Sequence, residues 1–133
     1  MAELFILAAF GHLIGDYLFQ TKAMALRKSD EGPTGIAVCT VHAIVYTIAV
    51  CLMIGTLDPL VWVLIGAPHW IIDRWSLGNK WLKLIRGRTF EGAYHATDAY
   101  REFDIAFTCI VYTVVDNTFH LLSLWLVIRL FIL

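Results

Sequence analysis

Four long apolar stretches separated by short polar ones dominate the chain. A helix needs about 20 mostly apolar residues to cross roughly 30 Å of hydrocarbon, and the candidates are Ala2–Phe19, Gly35–Ile54, Pro59–Trp75 and Asp104–Leu133. The pattern predicts an all-α fold, a transmembrane four-helix bundle, as a single integral membrane domain over residues 1–133. The first loop, Thr21 to Thr34, ends in a Gly32-Pro33 break, and the second, Gly55 to Pro59, is a tight turn without Lys or Arg. The third, Ser76 to Phe103, is basic, with Lys80, Lys83, Arg86, Arg88 and Arg101. With Lys22, Arg27 and Lys28 in the first loop, positive charge gathers on loops one and three, which four spans place on one side of the membrane. The positive-inside rule assigns that side to the cytoplasm and leaves both termini outside.

Inside the third loop, Trp81, Leu82, Leu84, Ile85 and Phe90 are interleaved with Lys83, Arg86 and Arg88, which suits a short amphipathic cytoplasmic segment between helices three and four. A lipid-facing or substrate-recruiting role competes there with the plainer reading of a solvated basic loop that sets topology.

Composition agrees with a membrane protein. Of 133 residues 59% are apolar and 16% charged, and the mean hydropathy is +0.72, too high for a soluble domain with one small core. A net charge of -1 speaks against a nucleic-acid partner. Glu3 replaces the positive start of a signal peptide, and His12 and Asp16 interrupt the apolar run, so this stretch reads as a span. Cys39, Cys51 and Cys109 are odd in number and widely spaced, which indicates packing residues and no disulfide framework or cysteine-type zinc site.

The chemistry lies in polar residues within the apolar stretches. Three spans carry a His and an Asp four residues apart, His12 with Asp16, His69 with Asp73 and Asp116 with His120, and the second span adds His42. A spacing of four sets both side chains on one helix face. An Asp at the centre of a membrane helix costs about 2.5–3.5 kcal/mol, so three would cost roughly 8–10 kcal/mol, comparable with a domain's folding free energy of about 5–15 kcal/mol. They must be protonated, matched by a cation or close to the interface. Counted from the cytoplasmic ends, all seven groups can share one layer. Imidazole with carboxylate suits a divalent transition metal, zinc first with manganese or iron as alternatives, and seven donors are enough for one or two ions. A lone His in a span is more often a helix-joining hydrogen-bonding residue; three equally spaced pairs on three helices favour metal.

Weaker signals come from Gln20, which extends the His12, Asp16 face by a turn, and from Arg74, an interfacial anchor. His95, Asp98 and Asp104 belong in or beside the solvated third loop, and Trp62, Trp70, Trp75, Trp81 and Trp125 fit aromatic belts and packing.

The series His12-Leu-Ile-Gly-Asp16-Tyr-Leu-Phe-Gln20-Thr21, His42, His69-Trp-Ile-Ile-Asp73-Arg74-Trp75 and Asp116-Asn-Thr-Phe-His120 resembles, over nearly the whole chain, a family of small bacterial and phage membrane proteins defined only as a domain of unknown function. Asn117 departs from the expected Gln. The pattern is also loosely similar to the membrane-bound metal-dependent hydrolases, which implies a metal and hydrolysis.

The expected function is a metal-dependent hydrolase at the cytoplasmic face, with His12, Asp16, His42, His69, Asp73, Asp116 and His120 as ligands and a non-ligating Asp as the base. A buried site implies an amphiphilic substrate, and the basic loop an anionic headgroup or lipid-linked phosphate; membrane lipid and a second copy of the chain are the expected partners. A proton or divalent-cation transporter uses similar residues, but 133 residues make a small carrier and no inverted pair of broken helices is visible. Haem needs no carboxylate one turn from each His. A non-catalytic scaffold, joined by the same polar groups, is the remaining alternative.

Overall fold

The structure, a computed structural model, describes residues 2–132; Met1 and Leu133, the ends of the predicted domain, lie outside the described residues. These residues form helices α1 (Ala2–Leu13), α2 (Lys22–Arg27), α3 (Gly32–Ile54), α4 (Pro59–Arg74), α5 (Leu77–Arg86), α6 (Phe90–His95) and α7 (Arg101–Val127). Wider π turns extend α1 over Ile14–Leu18 and α7 over Ile128–Ile132. The all-α expectation therefore holds. Among the described residues two helical segments, Gly32–Ile54 and Arg101–Ile132, are long and apolar enough to cross a membrane. Two such segments stand where the sequence suggested four. The first apolar stretch is 12 residues of α-helix continued by a five-residue π turn, and α4 has 16 residues.

Local chemistry explains the helix ends. Gly55 takes a left-handed conformation with φ 71°, and the Thr56 amide donates back to the Cys51 carbonyl, closing α3. Asp58 then caps α4, its Oδ1 accepting from the Leu60 amide at 2.8 Å, with Pro59 in the first turn. The first loop contains a helix that the sequence reading passed over: the Thr21 hydroxyl accepts from the Met24 amide at 3.2 Å and starts α2.

The chain divides into two compact units, residues 1–75 with 120–133, and Ser76–Phe119. In the first, α1, α3, α4 and the last turns of α7 bury an apolar core of Ala8, Tyr46, Val50, Cys51, Val61, Ile65, Leu124, Val127 and Ile128. The backbones of α1 and α3 approach closely at Gly11 and Gly15, four residues apart; a Cβ on Gly11 would lie 2.6 Å from the Val50 Cα and one on Gly15 3.0 Å from the Tyr46 Cα. In the second unit, Leu82, Ala93 and Thr108 are buried, and Trp81 meets Phe119 edge to face. The predicted amphipathic segment is α5.

Candidate metal centre

Each core helix of the first unit carries a histidine four residues from an apolar core residue or from Tyr46: Ala8 precedes His12, Tyr46 follows His42, Ile65 precedes His69 and Leu124 follows His120. A four-residue step keeps both on one face, so the imidazoles form a layer resting on the apolar core. His12, His42 and His120 are 0% exposed and His69 1%. Beyond them come Asp16, Asp73, Gln20 and Lys28.

The π turn places Asp16. It adds one residue to the turn, closed by the Phe19 amide donating to the Ile14 carbonyl at 3.1 Å, and Asp16 Oδ2 still meets His12 Nδ1 at 3.2 Å. Asp16 Oδ1 faces two other helices, 3.3 Å from His42 Nε2 and 3.7 Å from His69 Nε2. Asp73 Oδ2 stands 3.1 Å from His42 Nε2 and 3.2 Å from His69 Nε2, and those two nitrogens are 3.1 Å apart. Two carboxylate oxygens and two ring nitrogens from three helices thus converge. A tetrahedral ion with bonds of about 2.0–2.1 Å needs donor separations of about 3.3 Å, and these five lie between 3.1 and 3.7 Å. Among the described residues neither Asp16 Oδ1 nor Asp73 Oδ2 has a partner in hydrogen-bond geometry, although both are buried and lie within ion-pair distance of the two imidazoles.

A second set of donors adjoins the first. His69 Nδ1 lies 3.1 Å from His120 Nδ1, and His120 Nε2 lies 3.4 Å from Asp73 Oδ1. Asp16 with His42 and His69, and His69 with Asp73 and His120, are both groups that could hold a metal ion.

Of the seven sequence-predicted ligands the fold brings six together. His12 enters through Asp16. The seventh, Asp116, is in neither group; it belongs to the second unit, its Oδ1 3.1 Å from where a Cβ on Gly78 would stand. It shares a helix with His120, but Gly78 leaves it a place of its own.

Three further residues shape the site. Gln20 Nε2 lies 2.9 Å from His42 Nε2, as its position one turn beyond Asp16 suggested. Tyr46 stacks flat on His69, with ring centroids 3.5 Å apart at 12°; its spacing of four from His42 was the available signal, masked by an apolar surrounding sequence. Lys28, 8% exposed, reaches in from the end of α2 and pairs with Asp73 Oδ1 at 2.8 Å. Nothing in the sequence around Lys28 distinguished it from a solvated loop lysine.

No curated protein and no solved structure matches the chain. Residues 4–133 match the family described as protein of unknown function DUF3307, and with the match running over nearly its whole length, the chain belongs to that family.

Proposed function

We propose that the chain is a membrane-embedded metal-dependent hydrolase, acting near the cytoplasmic face of a bacterial inner membrane on an amphiphilic, phosphate-containing lipid. In this reading all four apolar helices cross the bilayer, and both termini face outward. The observation that carries it is the set of five donor separations among Asp16 Oδ1, Asp73 Oδ2, His42 Nε2 and His69 Nε2. A ring nitrogen has one lone pair or one N–H, yet His42 Nε2 has four polar atoms within 3.3 Å, from Gln20, His69, Asp73 and Asp16. One shared cation satisfies the contacts among His42, His69, Asp73 and Asp16 together, and pairwise hydrogen bonds do not. Charge points the same way, since two buried carboxylates face one ammonium, Lys28, and an uncompensated charge is costly away from water.

Zinc fits the mixed nitrogen and oxygen set best, and the two groups that could hold an ion share His69, so the reading is of one or two ions. When bound by His42, His69 and Asp73, with Asp16 left off the metal as the base, the ion would supply Lewis-acid polarisation and a water acidic enough to ionise near neutral pH. The protein's part is to orient and to handle protons. Lys28 holds Asp73 in place, and Gln20 lies beside His42. The His12–Asp16 pair accepts the proton released as a water oxygen bonds to the ester centre, and returns it to the departing alcohol.

The test is elemental analysis of protein purified in detergent, then turnover of micellar carboxylic and phosphoric esters with and without a chelator. Near-stoichiometric transition metal, lost in His42→Ala and His69→Ala together with turnover, is the expected result. No metal in the wild type, or equal metal in both variants, overturns the metal centre. A loaded protein that leaves every ester intact overturns hydrolysis alone.

A further inference from the structure

The second unit holds a cavity of about 230 Å³ lined by Arg86, Arg88, Thr89, Asp104 and Thr108 among others. We propose that this cavity binds the phosphoryl group of an anionic phospholipid, with α5 laid along the membrane surface beside it. The proposal rests on the reading of the chain as membrane-embedded, but not on the metal.

The Arg88 guanidinium is held in place before any ligand arrives. It lies over the Phe107 ring at 4.8 Å, and its Nη1 donates to Thr108 Oγ1 at 3.2 Å and faces Asp104 Oδ1 at 3.8 Å. Both polar contacts engage Nη1, so Nε and Nη2 keep the parallel pair of N–H groups that matches two oxygens of a phosphate. Thr108 is fully buried, so Arg88 is anchored by a part-buried contact to a fixed side chain. Arg86, also lining the cavity, is exposed and makes no ion pair among the described residues. The two guanidinium groups outweigh the single carboxylate of Asp104, so the cavity is net positive. At about 30 Å³ per water-sized group, it holds a phosphoryl group and part of its glycerol ester.

Helix α5 says which source of phosphate is meant. It exposes Leu84 at 77%, Ile85 at 53% and Trp81 at 46%, beside a polar stripe of Asn79, Lys80, Lys83 and Arg86 at helical spacing. An apolar face flanked by lysines fits the boundary between acyl chains and anionic headgroups. Free phosphate would use the arginines but leaves the apolar face without a partner.

The experiment is native mass spectrometry of the full chain in detergent, titrated with phosphatidylglycerol, phosphatidylcholine or inorganic phosphate. Wild type is expected to retain phosphatidylglycerol at least about tenfold better than phosphatidylcholine, and Arg88→Gln to lose about tenfold, the scale of one charge-assisted hydrogen bond. Arg88→Lys keeps the charge without the fork and is expected to fall between. Lys22→Gln, outside the cavity, should match wild type, and metal content should be unchanged in every variant, which separates this site from the metal centre. Equal retention of both lipids, an Arg88→Gln protein that folds and binds like wild type, or displacement of the lipid by millimolar inorganic phosphate overturns the proposal.

Discussion

Replacing Gly11 by alanine sets two effects of opposite sign against each other. Helix propensity alone favours alanine over glycine by about 1 kcal/mol. The packing opposes it: the new Cβ would lie 2.6 Å from the Val50 Cα and 3.1 Å from the Ala49 carbonyl oxygen, where ordinary contact begins at 3.4 Å. The obstacle is backbone and cannot rotate away, so α1 and α3 must part by about 0.8 Å, the difference between 3.4 and 2.6 Å. Overpacking of this kind costs about 1–3 kcal/mol, so the net expectation is a loss of up to about 2 kcal/mol. The same separation acts on the site, because Asp16 Oδ1 and His42 Nε2, 3.3 Å apart, sit on the two elements being forced apart. Opened toward 4 Å, that edge no longer fits an ion with bonds of about 2 Å. Gly11→Ala should therefore unfold at lower temperature and retain less metal, measured by tryptophan fluorescence in detergent and by elemental analysis. Ile6→Ala, on an exposed position of the same helix, is the control. A Gly11→Ala protein more stable than wild type and fully loaded with metal would refute the close packing and its link to the site.

Other consequences can be measured on the same preparation. Asp73→Asn removes a charged partner of buried Lys28 and should cost about 3–5 kcal/mol; pairing it with Lys28→Met should recover part of that loss, and strict additivity in thermal unfolding would show that the two do not interact. The Tyr46 hydroxyl is buried without a hydrogen-bond partner among the described residues, so Tyr46→Phe should be neutral or stabilising by about 1 kcal/mol, and a loss larger than that would mean the oxygen has a partner. Asp58→Ala should destabilise by about 0.5–2 kcal/mol through loss of the α4 cap, and an unchanged unfolding temperature would contradict that role.

Much of the first unit was legible because it depends on short-range geometry. The step of four that joins His12 to Asp16 and His69 to Asp73 is a property of the helix, and the turn at Gly55, Asp58 and Pro59 is written in residues with few alternative conformations. The same rule misled at Asp116. Spacing puts it on the His120 face, but which neighbour fills that space is decided by packing, and Gly78 leaves room for its carboxylate. Helix α2 was missed because six residues carry too little periodicity to rise above a loop, and the Thr21 cap alone is a weak signal.

What the amino-acid order determined by itself is the helical class, the end of α3, the start of α4, and the set of imidazoles and carboxylates inside apolar stretches that need partners, because each follows from local backbone preference or from the cost of moving a charge out of water. Only the tertiary structure decided which of these groups meet. The convergence of Asp16, His42, His69 and Asp73, the entry of Lys28 and the stacking of Tyr46 on His69 depend on how closely separate helices approach and at what rotation. That approach is controlled by contacts distant in sequence, such as Gly11 against Val50, which leave no periodic trace in the chain.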